Sequence, residues 1–219
     1  VNVAGGVIDA SVKPGIALME NMGQLLFGIS GGNVTAIDVE VRGEIAVHDV
    51  SVLKLAGLKG FYQNAVTEQV SYVNAPLMAE ARGVEVRLAV DSHSDEYRNV
   101  TSIKATLSDG TTASVSGTVI GPKLHQKIVN INCYDVELAM AEHFVMMVYA
   151  DRPGIVAVYG KAFAENNINI AAMQIARNSK GGKALSVITV DSKVDAEVLE
   201  AVRVAIEADV LKAIDLKLD

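Results

Sequence analysis

Apolar and polar positions alternate with two periods along this chain, and the change of period divides it into elements. Residues 14–27 open on Pro14 and carry Ile16, Met19, Leu25 and Leu26 at helical spacing, predicting a helix with the proline in its first turn. Residues 33–42 alternate apolar and polar side chains, with Val34, Ala36, Asp38 and Glu40 interleaved with Thr35, Ile37, Val39 and Val41, predicting a strand whose exposed parity carries the acids. Val52, Leu55, Ala56 and Leu58 suggest a helix between Val47 and Ala65, weakened by Gly57 and Gly60 at about 1 kcal/mol each relative to alanine. Between Val84 and Ile120 lie three Val/Thr/Ile-rich stretches, separated by the polar loop 91–96 and by Asp109-Gly110, a hairpin dipeptide. They read as an antiparallel meander, with a further strand at 127–131 after the break at Gly121-Pro122.

From about His143 the pattern becomes regular. Strands are predicted at 143–150, 168–177, 183–190 and 210–217, with helices at 153–166 and 195–207. Ile155, Tyr159, Ala162 and Phe163 share one face of the first helix; Val198, Leu199, Val202, Ala205 and Ile206 share one face of the second. Asp195 is placed as an N-cap and Ser179–Gly182 as the central hairpin turn. A βαββαβ order of this kind is a ferredoxin-like sandwich. The fold class expected is therefore α+β: a mixed helical and antiparallel domain over 1–142, then a ferredoxin-like domain over 143–219.

Composition narrows what such a protein can do. Half of the 219 residues are hydrophobic but only 5% aromatic, so the cores are built of Val, Ile, Leu, Ala and Met. No run approaches the roughly 20 apolar residues that span a bilayer, so no membrane partner is expected. A net charge of -7 argues against nucleic acid, whose phosphates demand a basic surface. The single Cys133 forms no internal disulfide and supplies too few thiolates for a cluster or structural zinc, and a cytoplasmic location fits it best. The opening residues lack both an initiating Met and a signal-peptide layout, and they read as cut from something longer. No G-x-G-x-x-G segment stands between a strand and a helix, so no dinucleotide cofactor is expected on this chain. No histidines have metal-like spacing, and no metal site is expected.

The stretch richest in chemistry is Tyr149-Ala150-Asp151-Arg152-Pro153-Gly154. Pro153 fits the first position of the following helix, and Gly154 would let a ligand approach backbone amides at a helix start that favours an anion. Asp151 could meet an ammonium group, so the two poles match a free α-amino acid. An ordinary capped helix start explains the same spacing. Asn169, in Asn166-Asn167-Ile168-Asn169-Ile170, offers a donor and an acceptor at the entrance of the next strand, while Asn166 or Asn167 ends the helix in a left-handed turn.

The D-R-P-G turn followed by N-I-N resembles the effector site of ACT domains. The segments Val1-Asn2-Val3-Ala4-Gly5-Gly6, Val41-Arg42-Gly43-Glu44, Val73-Asn74-Ala75-Pro76, Glu80-Ala81-Arg82-Gly83-Val84, and Ser116-Gly117-Thr118 to Gln126-Lys127-Ile128-Val129 resemble, in the same order, the intermediate domain of long-form D-3-phosphoglycerate dehydrogenases. The resemblance implies the regulatory region of such an enzyme, with the catalytic domains and NAD on a part absent from this chain, which alone would be inactive. It implies L-serine at an interface between two ACT domains of a homodimer or homotetramer. Tyr149 and Asp151 would come from one subunit and Asn169 from the other, with backbone at Gly154 and Ile155 completing the pocket. It also implies an anion site for phosphorylated substrate at Lys127, weakened here because Ala139 and Thr189 stand where some relatives carry arginine. Gly5-Gly6 would be a hinge. A stand-alone amino-acid-binding adaptor and a purely structural assembly module are the rival readings.

Overall fold

A computed structural model describes residues 7–31 and 33–218; the Gly5-Gly6 hinge lies outside them. The fold is α+β, and the chain divides into two compact units, one up to Cys133 and one from Tyr134 to Leu218. The elements in order are α1 (Lys13–Ser30), β1 (Val34–Gly43), a 3-10 turn (Glu44–Val47), α2 (Ser51–Gln63), α3 (Ala75–Ala81), β2 (Glu85–Asp91), β3 (Asn99–Leu107), β4 (Thr112–Ile120), β5 (His125–Ile131), β6 (Tyr134–Ala139), β7 (His143–Ala150), α4 (Ile155–Glu165), β8 (Ile170–Arg177), β9 (Lys183–Val190), α5 (Ala196–Ile206) and β10 (Val210–Asp215).

The first sheet has the order β2-β1-β3-β4-β5-β6, with β6 grouped by compactness with the second unit. The sequence-based domain junction at 142/143 and the division at 133/134 differ by this strand. β3 and β4 form the hairpin expected at Asp109-Gly110, with Gly110 at φ 84°. The expected three-stranded meander is corrected: β2 runs parallel to β1, which separates it from β3. The reason is the crossover through α2 and α3, because a parallel pair needs a connection of a dozen or more residues rather than a turn. α3, seven residues long, went unrecognised because two turns are too few to establish a period.

β1 buries Ile37, Val39 and Val41 and turns Asp38 and Glu40 to its other face. α1 and α2 pack against each other at glycines. A Cβ on Gly23 would lie 2.2 Å from the Gly57 carbonyl oxygen, and one on Gly60 would lie 1.9 Å from the Glu20 carbonyl oxygen. Gly23 and Gly60 thus permit the close approach of two backbones, whereas a Cβ on Gly57 would meet the side chains of Ile103 and Met19, each at 2.9 Å. Around this contact Phe27 and Phe61 meet edge to face at 5.4 Å. Glu20 accepts from the Tyr72 hydroxyl and pairs with Lys59 at 2.8 Å.

In the second unit the sheet order is β10-β7-β9-β8, and every neighbouring pair is antiparallel. One sheet face packs on α4 and α5 through Val145, Met147, Tyr149, Ile155, Tyr159, Phe163, Ala184, Ile188, Val202 and Ile206. β6 touches the strand β8, where the Glu137 amide donates to Gln174 Oε1 at 2.6 Å. α4 ends in the expected left-handed turn, at Asn167 with φ 55°, and the Ile168 amide closes back on Phe163 O at 2.9 Å. Asp195 stands at the start of α5, although its side chain makes no capping bond.

Candidate effector site

The loop between β7 and α4 departs from its predicted form in one respect that matters. α4 begins at Ile155, not at Pro153, because Gly154 takes φ 91°, a left-handed conformation that interrupts helical geometry. Its first-turn amides have no side-chain cap. A Cβ built on Gly154 would meet nothing within 4 Å, so the glycine answers a backbone requirement and faces open space.

Asp151 is anchored by its own amide, which donates to Gly182 O at 2.8 Å. Its side chain is only 22% exposed, and its Oδ2 lies 3.3 Å from Arg177 Nη1. Two other cations at this end of the sheet have partners of their own: Arg152 pairs with Glu207 at 3.2 Å, and Lys183 with Asp209 at 3.1 Å. Tyr149 sits inside the core, its hydroxyl sharing a 2.6 Å hydrogen bond with Ser186. The Tyr159 hydroxyl donates to Met173 Sδ at 3.0 Å, and burial pushes this phenol above its ordinary pKa.

Asn169 is exposed and lies at the opposite end of the sheet. Its Nδ2 donates to Asp191 Oδ2 at 2.7 Å, which leaves a second N–H and the acceptor Oδ1 for other partners. The register makes the separation plain: Ala150 is opposite Lys183 and Arg177 opposite Ala184, whereas Ile170 is opposite Val190. Seven residue steps of β8 correspond to about 23 Å. One protomer therefore brings together Asp151, Gly154 and Ile155, and does not bring Asn169 to them.

Lys127 lies half-buried on β5, opposite Thr118. Ala139 is exposed on β6, and Thr189 is buried with its hydroxyl donating to Ala172 O at 3.5 Å. Among the described residues no three His, Cys, Asp or Glu side chains gather as metal ligands, and no helix is long and apolar enough to cross a membrane. Arg177, Ser186 and Asp191 were missed in the sequence. The period of β8 sets Arg177 on the parity of Met173 and Ile175, but its meeting with Asp151 depends on pairing across β9.

Comparison with known proteins matches residues 11–132 to the model described as the D-3-phosphoglycerate dehydrogenase intervening domain. The chain belongs to this family. The ACT domain model matches residues 143–207, so the two units carry the two domains that the motifs resembled. Relatives of the family include D-3-phosphoglycerate dehydrogenases of Mycobacterium bovis, 35% identical, and Mycobacterium leprae, 33% identical, each over 99% of this chain and 41% of the relative. The enzyme of the same name from Bacillus subtilis is 29% identical over 94% of this chain and 39% of its own length. The chain thus spans about two-fifths of these relatives.

Proposed function

We propose that this chain is the regulatory part of a cytoplasmic, NAD-dependent D-3-phosphoglycerate dehydrogenase, that it assembles into a homo-oligomer, and that it senses L-serine between two ACT units. The reaction belongs to the rest of the protein, and no residue here acts in it. The observation that carries the reading is the separation of the two halves of the amino-acid motif along β8. Asp151 with Gly154 and Ile155 occupies one end and Asn169 the other, so a twofold partner laid antiparallel against the β8 edge supplies the missing half at each end.

The edge is suited to such a partner. Met173 and Ile175 of β8 and Val156 of α4 are each more than a third exposed, and Gly160 of α4 leaves open space beside them. Burying this strip would favour assembly at about 25 cal/mol per Å² of apolar area removed from water. In the assembled site the carboxylate of Asp151 meets the effector's ammonium, as does Asn169 Oδ1, whose orientation Asp191 fixes. The uncapped amides of α4 offer hydrogen bonds to a carboxylate. Tyr149 supports the floor through Ser186 rather than by touching ligand.

Lys127 is the candidate for a second, anion-binding site. With Ala139 and Thr189 it lacks the guanidinium forks that hold phosphate bidentately, so affinity for 3-phosphoglycerate is expected to be weak. Calorimetry of the purified oligomer with L-serine tests the main reading. Saturable heat in wild type, lost in both Asp151→Asn and Asn169→Ala, is the expected result; no heat with millimolar serine on a confirmed oligomer would refute it.

A further inference from the structure

We infer that Arg177 is the residue that reads the effector's carboxylate, making the site selective for zwitterions over simple amines. The inference rests on the reading of Asp151 as the ammonium acceptor, and adds to it a requirement about the ligand's other charge.

Three observations place Arg177 there. Arg177 is opposite Ala184 on β9, and Ala184 is opposite Tyr149 on β7, so the three lie in one row across the sheet. Side chains directly opposite share a face, and Tyr149 and Ala184 belong to the core beneath α4 and α5. Arg177 therefore projects on the side of the sheet where α4 starts. Second, its contact with Asp151 is a single one, Nη1 to Oδ2 at 3.3 Å, and its side chain is 58% exposed. A guanidinium has five N–H donors in a planar fork, so this contact leaves donors for a second carboxylate. Third, Arg152 also donates to the Ile206 carbonyl at 3.3 Å and Lys183 is paired with Asp209, so both are engaged away from Asp151.

Charge balance then decides the ligand class. Asp151 alone would match a monocation. Asp151 with Arg177 is neutral, and a neutral pair is completed by a ligand that is itself neutral but divided: the ammonium goes to Asp151 and the carboxylate to Arg177, giving four alternating charges. An amine lacking the carboxylate would leave a surplus positive charge beside the guanidinium.

The test compares L-serine with L-serinamide, which keeps the ammonium and hydroxyl but not the carboxylate. Calorimetry is run on the full chain at a pH where both amines are protonated. Wild type is expected to prefer serine. In Arg177→Gln serine should weaken roughly tenfold or more, the loss of a charge-assisted pair, while serinamide binds as well as before or better. Arg177→Lys, which keeps charge but not the fork, should fall between. Unchanged melting temperatures would show that the half-exposed side chain is not needed for folding. Serine bound by Arg177→Gln with the wild-type preference over serinamide would overturn the role of Arg177 and leave the serine reading standing. A wild type that binds neither compound would overturn both.

Discussion

Gly154 shows how one residue serves both fold and site. At φ 91° it adopts a backbone that a residue with a Cβ resists, and a substituent there would touch nothing. Gly154→Ala should therefore cost about 1–2 kcal/mol through the backbone alone, with no steric clash to relieve. Thermal or denaturant unfolding measures this. A neutral substitution would show that the turn relaxes into a helical start at Pro153, as the sequence pattern first suggested. The same residue scale separates what was legible in the site from what was not. Asp151 and Asn169 entered the proposed site because their motifs are contiguous in sequence, and Tyr149 was named with them. Its hydroxyl lies instead in the core against Ser186, a partner on another strand. Arg177 escaped notice for the corresponding reason: nothing near residue 177 in the chain announces an acid 26 positions earlier that pairing across β9 sets beside it.

Among the elements, α1 and α2 invert the usual reading of helix glycines. Replacing Gly60 by alanine should gain about 1 kcal/mol of helix propensity. It also forces a Cβ to within 1.9 Å of the Glu20 carbonyl oxygen. Backbone cannot yield as a side-chain tip does, and overpacking of this kind costs about 1–3 kcal/mol or more. Because the contact is with backbone, the cost should fall at the upper end of that range, and the expected outcome for Gly60→Ala is net destabilisation by up to about 2 kcal/mol, read from the shift in denaturation midpoint. A stabilised variant would mean that the helices separate freely. Period and β-branched composition placed α1, β1, β3, β4 and the six elements from β7 to β10, most of which turn an apolar face to a core. The strand β2 was legible too, but not its pairing: adjacency in sequence suggested a meander, although the helical stretch before it already supplied the crossover that a parallel neighbour needs.

For the whole molecule, the amino-acid site proposed above exists only between two copies. The antiparallel register places Asp151 beside the β8–β9 turn and Asn169 at the far end of β8. A twofold dimer would then hold two equivalent sites, each with Asp151 from one chain and Asn169 from the other. Asp151→Asn and Asn169→Ala homodimers should both lose binding, but a heterodimer carrying one substitution per chain should keep one site intact and concentrate both defects in the other. The decisive measurement is therefore calorimetry with L-serine on the two inactive variants unfolded, mixed and refolded together. Recovery of a population of sites with wild-type affinity is the predicted result. Mixed dimers that form but bind no serine, while the wild type does, would contradict a site shared across the twofold.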